Sequence, residues 1–392
     1  MQIELFFFMC YYIRGDVMTI GIICEYNPFH NGHLYHINKI KKMHPNSTII
    51  LVMSGNFTQR GDISIINKWD KTDIALYYGI DLVVELPFKY ATQSADTFAY
   101  GAINILKQLK VNKLIFGSEE NDIDKLINMA NIQLSLEYQS LVKNYLNEGL
   151  NYPTATSKAF SKSIGYTIDS PNDLLGLSYI KEIIKQKTNI EPITIKRTND
   201  YHSTKLEKIC SATSIRLAIK NNKDIKKYIP KYVNKFITNP LFIDDYYDLI
   251  KYKIISENNL SIYQSVDEGI DKRLKKYILE CNSLEEFISK IKTKRYTYNR
   301  IKRMIIHILV GYTKEDNETI KDYIRVLGFN KKGKKHLNNI KKDIELPIIT
   351  NYSNSKGLLN KDYQINSILT LKMSNDEKNN FLKRELQEII IK

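Results

Sequence analysis

The chain has 392 residues, 43% of them hydrophobic. A chain of this length and composition can bury a substantial core, is long enough for two domains and is not typical of a disordered protein. Its formal net charge of +15 favours a polyanionic partner, although a lysine excess that reflects an AT-rich genome would give the same charge. Charge alone therefore identifies neither the partner nor the surface that binds it.

The cysteines are scattered along the chain without a Cys-x-x-Cys pair. This spacing argues against a structural zinc site and against a disulfide framework. A reducing compartment fits best, so we expect a cytoplasmic protein. The four residues are Cys10, Cys24, Cys210 and Cys281.

The first 17 residues contain an apolar run that is too short to span a bilayer and has no basic start before it. We interpret residues 1–17 as an extension or as the product of an upstream start codon, with a weak membrane-surface anchor as the alternative. No later segment resembles a transmembrane helix, so we expect no membrane partner.

From residue 18 onward, short apolar runs alternate with amphipathic helical patterns. Continuous apolar strands between such helices predict an α/β fold whose parallel sheet is covered by helices on both faces. Ligands of such sheets bind beyond the carboxyl ends of the strands, so we expect the site there. The predicted strands are residues 19–24, 48–53, 82–86, 113–116 and 193–196.

Past residue 225 the sequence changes to lysine-rich and tyrosine-rich amphipathic segments with few strand signals. We therefore predict a sheet domain over residues 18–225 and a mainly α-helical basic domain over residues 226–392. The clearest helical periods lie at 244–257, 284–292 and 300–310. The polar and then helical tail from 351 to 392 has no assigned role.

The loop after the first predicted strand ends in His30-Asn31-Gly32-His33. Residues 32–43 predict a helix whose first backbone N–H groups are free to bind phosphate. His30 and His33 are three residues apart, so both can face an α-phosphate and stabilise the charge that develops on it. Two histidines at this spacing also occur by chance, but their position after a strand favours a nucleotide site. Together with His36 they have a zinc-like spacing, for which phosphate contact is the favoured interpretation.

Five later residues each have a functional and an ordinary structural interpretation. Asn172 follows a serine and a proline that can begin a helix. Arg197 can pair with phosphate oxygens or lie solvated at a strand edge. Ser214 and Arg216 lie in a Ser-x-x-Ser-x-Arg stretch that can hold phosphates or simply cap a helix. Gly117 is a turn glycine or a point where the backbone approaches a base.

Residues 290–303 hold seven basic residues and no acidic one. These charges can pair with phosphates, and the interleaved Tyr296 and Tyr298 can stack on unpaired bases. A solvated helix face is the usual alternative for a charge run, but the missing acids and the apolar continuation over 304–310 favour RNA binding. The expected RNA contacts are Lys292, Lys294, Arg295, Tyr296, Arg300 and Arg303.

Many stretches in the same order resemble the bacterial tRNA(Met) cytidine acetate ligase family, a branch of the HxGH nucleotidyltransferases. The resemblance runs from about residue 18 to about residue 329 and is far more specific than any single motif. It implies a Rossmann-like, HUP-type sheet domain that binds ATP, followed by a helical domain that binds tRNA. The matching stretches are residues 21–36, 52–61, 81–87, 116–118, 170–176, 195–197, 211–216, 267–269 and 292–303, with Arg273.

The resemblance also implies the residues of the site. His30 and His33 are the implied catalytic residues, whereas Gln59, Arg60 and Asp62 are candidates for either the acetate pocket or a tRNA contact. The implied ATP contacts are Ile23, Cys24, Glu25, Tyr26, Asn27, Pro28, Phe29, His30, Asn31, Gly32, His33, Leu34, Tyr35, His36, Gly117, Asn172, Arg197, Thr198, Ser214 and Arg216.

The implied reaction joins acetate and ATP to form acetyl-adenylate and pyrophosphate. The acetyl group then passes to N4 of the wobble cytidine of elongator tRNA(Met). Mg²⁺ is expected with ATP, whereas neither a protein-bound metal nor an obligate protein partner is expected. Two alternatives stay open, a metabolite adenylyltransferase, which the basic second domain disfavours, and an ATP-sensing RNA-binding factor.

Overall fold

The computed structural model describes residues 17–150, 152–164, 170–197, 210–387 and 389–392. Within these ranges the strands form one sheet in the order β5-β4-β1-β2-β3-β6-β7, with β8 paired to β6. Strands β1 to β5 are mutually parallel, which confirms the predicted sheet. Their bounds are β1 Thr19–Cys24, β2 Thr48–Ser54, β3 Leu82–Leu86, β4 Lys113–Ser118 and β5 Glu191–Lys196.

The central strand β2 shows how the sheet is buried on both faces. Ile50 and Val52 pack into one hydrophobic core, whereas Leu51 and Met53 pack into the core on the opposite face. Helices cover both cores, and no helix in the described ranges is long and apolar enough to cross a membrane. The helices of this part are α1 Asn31–Met43, α2 Lys68–Tyr77, α3 Phe88–Ala91, α4 Ala95–Gln108, α5 Ile123–Leu134, α6 Leu136–Asn147, α7 Tyr152–Ile164, α8 Pro171–Lys185 and α9 Ala212–Lys220.

The part after residue 225 is mainly helical, as predicted, but it also extends the sheet. Strand β6, Ile324–Phe329, is antiparallel to β3, and the short strands β7, Ile348–Ile349, and β8, Ile390–Ile391, pair with β6. The sequence analysis did not predict these strands. The boundary at residue 225 stays a prediction. The helices are α10 Tyr247–Ser256, α11 Ile270–Ile278, α12 Leu284–Ile291, α13 Tyr298–Val310, α14 Lys314–Thr319, α15 Lys331–Ile340, α16 Asn360–Leu369 and α17 Asn375–Leu386.

A buried cluster of charged side chains joins α17 to the sheet. Lys68 Nζ lies 3.1 Å from a carboxylate oxygen of Glu85 and 2.9 Å from one of Glu385. Arg325 lies 3.3 Å from each of the same two carboxylates, and Glu385 also accepts a hydrogen bond from the Trp69 indole at 3.0 Å. The four charged side chains are at most 8% exposed. Each charge therefore depends on its partners, since water does not solvate it.

We expect Glu385→Gln to lower the free energy of unfolding by about 3 kcal/mol or more. The amide keeps the shape of the side chain but leaves Lys68 and Arg325 with one carboxylate in place of two. Urea unfolding of the two proteins measures the difference. Asp244→Asn is the matched control, because it neutralises one partner of the half-exposed Lys220–Asp244 pair and should cost less than about 1 kcal/mol. Similar losses in the two variants would contradict the role of the cluster.

Candidate active site

A cavity of about 620 Å³ opens at the carboxyl ends of β1, β4 and β5, where ligands of parallel sheets bind. Its volume lies within the usual range of ligand sites, roughly 300–1,000 Å³. The predicted residues that line it are Ile23, Cys24, Glu25, Tyr26, Asn27, His30, Gly32, His33, Tyr35, His36, Gly117, Asn172, Arg197 and Arg216.

Some predicted contacts do not line the cavity. Pro28, Phe29, Asn31 and Leu34 belong to the same loop and helix but are not among the residues that line the cavity. Thr198, another predicted contact, lies outside the described residues, as do residues 1–16.

His30 and His33 stack on each other at the start of α1, with ring centroids 3.8 Å apart. His30 caps the helix, because its Nδ1 accepts a hydrogen bond from the backbone N–H of Gly32 at 3.0 Å. His33 Nδ1 accepts a hydrogen bond from the backbone N–H of His30 at 3.2 Å. Since each Nδ1 is an acceptor, a neutral ring carries its proton on Nε2. The backbone thus fixes both tautomers and leaves Nε2–H as the side-chain donor.

The electrostatics of the cavity keep these rings neutral. Burial, with the nearby charges of Arg197 and Arg216, lowers the pKa of His30 to about 3. Burial, followed by His30 and Arg197, holds the pKa of His33 well below its usual value of 6.5. Burial and Arg197 lower the pKa of His36 to about 4. The histidines therefore meet a ligand as neutral hydrogen-bond donors, and an incoming phosphate would favour their protonation.

Lys71, which the sequence analysis did not select, joins the loops after β1 and β2. Its side chain is fully buried. The ammonium donates hydrogen bonds to the backbone carbonyls of Glu25 and Ser54, both at 2.9 Å, and of Gly55 at 2.7 Å. Burial lowers the pKa of Lys71 to about 7, although the carboxylates of Glu25 and Glu85 act in the opposite direction. These three bonds hold together the loops that form one wall of the cavity.

Glu25 and the loop after β2 form that wall. Glu25 Oε1 accepts a hydrogen bond from the backbone N–H of Gln59 at 2.6 Å. Burial raises the pKa of the Glu25 carboxyl group, although the Gln59 N–H and the charges of Arg60 and Lys71 oppose the shift. Gln59, Arg60 and Asp62, the candidates for the acetate pocket or a tRNA contact, all line the cavity. This wall therefore offers both a carboxylate and cationic groups to a ligand.

Asn172 and Arg197 come together at another part of the cavity through Glu119. Asn172 Nδ2 donates a hydrogen bond to Glu119 Oε1, and Arg197 Nε lies 3.6 Å from the same oxygen. Asp173 is fully buried and does not line the cavity. Its carboxylate accepts hydrogen bonds from the backbone N–H of Glu120 and the hydroxyl of Ser170. Asp173 thus fixes the start of α8, whereas Asn172 contributes to the cavity wall.

The predicted contact of Ser214 with ATP stays a prediction, and the structure places this residue in the interior. Ser214 is 3% exposed and does not line the cavity. Ser211 caps α9 by accepting a hydrogen bond from the Ser214 backbone N–H at 3.1 Å, and the two hydroxyl oxygens lie 2.8 Å apart. Ser211 and Thr213 line the cavity in its place. Arg216 lines it as predicted, but its Nη1 donates to the backbone carbonyl of Asn27 at 2.7 Å.

Part of the cavity wall is apolar. Phe116, Leu174 and Tyr179 line it, and such a surface suits the flat ring of a nucleobase. A Cβ atom added at Gly176 would lie 2.4 Å from the Phe116 ring. The glycine therefore lets α8 approach the end of β4 closely enough to form this wall.

The predicted RNA contacts fall into an exposed group and a packed group. Lys292, Lys294 and Arg295 are exposed. Arg295 Nε lies 2.6 Å from a carboxylate oxygen of Glu268, so an acidic partner does exist outside the basic run. Because the side chains of Lys292 and Lys294 are already exposed, they can contact a phosphate backbone without moving out of the protein interior.

Tyr296 belongs to the packed group. It is 5% exposed, and its hydroxyl donates to the backbone carbonyl of Asp267 at 2.6 Å. The guanidinium of Arg300 lies over its ring at 4.4 Å. The protein itself covers the Tyr296 ring in this structure, and the expected contact of Tyr296 with RNA stays a prediction.

The basic segment and the cavity share the loop after β2. A Cβ atom at Gly61 would lie 2.5 Å from the backbone nitrogen of Arg303 in α13. Arg303 Nη1 donates to the backbone carbonyl of Gln59 at 3.1 Å, and the Lys302 ammonium pairs with Asp62. The first turns of α13 are thus fixed against one wall of the cavity.

This fold and cavity define a nucleotidyltransferase of the HIGH class, and residues 17–384 match the model of the HIGH Nucleotidyl Transferase family. Two relatives are tRNA(Met) cytidine acetate ligases. That of Caldicellulosiruptor saccharolyticus is 41% identical over 371 residues, or 90% of this chain and 91% of the relative. That of Mycoplasma mobile is 44% identical over 302 residues, or 76% and 100%. The chain belongs to the tRNA(Met) cytidine acetate ligase family.

Solved structures agree with this assignment. The structure of Thermotoga maritima TmcAL without ligand has a TM-score of 0.88 and 29% identity, and covers 96% of this chain and 99% of that one. TmcAL bound with alpha-thio ATP has a TM-score of 0.86 and 29% identity, with coverage of 96% and 100%.

We expect His30 and His33 of the ligand-free protein to stay neutral, with the proton on Nε2, from pH 8 down to about pH 5. The reason is that the cavity lowers both pKa values far below 6.5. Nitrogen-15 NMR of the imidazole rings reports both the tautomer and the titration. The urea-unfolded chain is the control, since its histidines should titrate near pH 6.5. A midpoint near 6.5 in the folded protein, or a proton on Nδ1, would contradict this account.

Proposed function

We infer that this chain is an ATP-dependent tRNA(Met) cytidine acetate ligase. The observation that carries the inference is one cavity that has the His30–His33 pair in its wall and is fixed directly against the basic helix α13. A ligase of this kind has to bind ATP, activate acetate and admit a base of the tRNA. A cavity next to an RNA-binding segment provides for all three.

The chemistry requires an activated acyl group. Acetate is a poor acyl donor, because its leaving group would be an oxide, whereas acetyl-adenylate expels AMP. Cytidine N4 is a weak nucleophile, because its lone pair is delocalised into the ring. The two half-reactions therefore belong in one protected cavity, where the adenylate is kept from water until the cytidine arrives.

In the first half-reaction an acetate oxygen attacks the α-phosphorus of ATP. The bond from that phosphorus to the bridging oxygen breaks, and pyrophosphate leaves with the electron pair. We assign to His30 and His33 the stabilisation of the developing charge through Nε2–H. Arg197 and Arg216 supply positive charge and hydrogen-bond donors for the phosphates, and the positive end of the α1 dipole adds to this potential. No covalent enzyme intermediate is required.

We propose that Mg²⁺ binds as a complex with ATP. It prefers phosphate oxygens, water and few protein ligands. The described residues contain no group of three or more His, Cys, Asp or Glu side chains that could hold a metal ion. We further propose elongator tRNA(Met) as the acceptor and the cytoplasm as the compartment, where ATP and tRNA are both available.

In the second half-reaction N4 of the wobble cytidine forms a bond to the acetyl carbon. The bond from that carbon to the phosphate oxygen breaks, AMP leaves with the electron pair, and the N4 proton passes to water. An anticodon loop presents an unpaired base, so no duplex has to be opened. We propose that Lys292, Lys294 and Arg295 hold the RNA backbone, with Arg300 and Arg303 behind them.

We expect His30→Ala and His33→Ala each to slow acetate-dependent pyrophosphate–ATP exchange by about 100-fold, the scale of losing one transition-state donor. The exchange reports the first half-reaction and needs no tRNA. His44→Ala, at the end of the same helix, is the matched control and should keep the wild-type rate. Wild-type exchange in both site variants, or an equal loss in the His44 variant, would contradict the assigned roles.

A further inference from the structure

Asn299 is a polar residue with an unusual position, and its side chain makes no hydrogen bond that stabilises the described part of the fold. It is the second residue of α13 and lies inside the basic run, yet it also lines the cavity. Its side chain is exposed. The amide makes no hydrogen bond to any other residue of the described ranges, whereas the adjacent Tyr298 hydroxyl donates to Glu285 and Arg300 donates to the backbone carbonyl of Arg295. An amide kept at such a place has both a donor and an acceptor available for a ligand.

The position of Asn299 is fixed by contacts on the next turn of the same helix. Arg303 donates to the backbone carbonyl of Gln59, and the backbone of Gly61 packs directly on that of Lys302 and Arg303. Helix α13 cannot move away from the cavity without breaking these contacts. Asn299 is therefore held at the cavity rather than carried on a free segment.

The charges around Asn299 point to a nucleic acid base as its ligand. The exposed cations Lys292, Lys294 and Arg295 precede it in the chain, and they suit a phosphate backbone. The cavity that it lines contains the reactive histidines. If the phosphates of a nucleotide contact the cations at 292–295 and its base enters the cavity, the base lies next to Asn299.

Resting on the proposed function, we propose that Asn299 contacts the Watson–Crick edge of the target cytidine where this base enters the cavity. Its Nδ2–H group donates to the acceptor at N3 of cytidine. This contact leaves N4 free to attack the acetyl carbon. Uridine carries a hydrogen on N3 and an oxygen at position 4, so it offers neither the N3 acceptor nor the nucleophile. Asn299 thus positions the base and contributes to the choice of cytidine.

The test compares Asn299→Leu and Asn299→Asp with the wild-type chain. Leucine has a similar size without polar groups, and aspartate keeps the acceptors but loses the donor. We expect acetate-dependent pyrophosphate exchange within twofold of wild type and a tRNA dissociation constant within about threefold. The single-turnover rate of acetyl transfer at saturating tRNA should fall about tenfold or more, the size of one specific base contact.

The triple variant Lys292→Gln, Lys294→Gln and Arg295→Gln is the matched control on the same segment. It should weaken tRNA binding and its salt dependence while leaving the saturated transfer rate close to wild type. An unchanged transfer rate in both Asn299 variants would overturn the proposal. An equal loss of pyrophosphate exchange would also overturn it, because Asn299 would then serve the first half-reaction. Absence of transfer by the wild-type chain would refute the proposed function itself.

Discussion

The site depends on the buried ammonium of Lys71. This group donates to the carbonyls of Glu25, Ser54 and Gly55, at the ends of two neighbouring strands. Without it, three carbonyl groups would each lose a charged hydrogen-bond donor, and this loss carries a free-energy cost. Burial lowers the pKa of Lys71 to about 7, but the three acceptors and the nearby carboxylates compensate the charge. The loops after β1 and β2 are consequently one unit.

This unit connects the two activities of the molecule. Its first loop leads into α1, where His30 and His33 are oriented by backbone N–H groups. Its second loop carries Gln59 and Gly61, which hold α13 in place. A single set of short-range contacts therefore determines where His30 and His33 lie and where the basic helix α13 begins. Because the histidine pair and α13 both contact the same loops, a displacement of one would also displace the other.

The first five strands could be predicted because each contains a short apolar or β-branched run that lies between helical patterns. Strand β6 could not, because it lies in a lysine-rich region and contains Arg325. That charge is buried only because Glu85 lies directly opposite on β3 and Glu385 lies nearby on α17. A pairing between residues some 240 positions apart leaves no local pattern in the sequence.

The candidate site was predictable to a similar extent. Loops that follow parallel strands converge, so His30 and Arg197 could be expected at one edge of the sheet, and both line the cavity. Lys71 was missed because a lysine on a helix suggests an exposed face, although Lys68 on the same helix face is also buried. The role of Ser214 could not be decided from the sequence, because a serine that caps a helix and one that binds a ligand have the same local sequence. The burial of Tyr296 could not be predicted, because it depends on a distant loop.

The central claim is that one cavity both activates acetate and receives the cytidine. The most direct measurement incubates the chain with ATP, Mg²⁺, radiolabelled acetate and unmodified elongator tRNA(Met), and then examines the nucleosides after digestion. We predict labelled N4-acetylcytidine that requires ATP and is absent when the wobble position carries uridine. An unlabelled tRNA from a protein that binds ATP, or label that does not depend on the wobble base, would contradict the account.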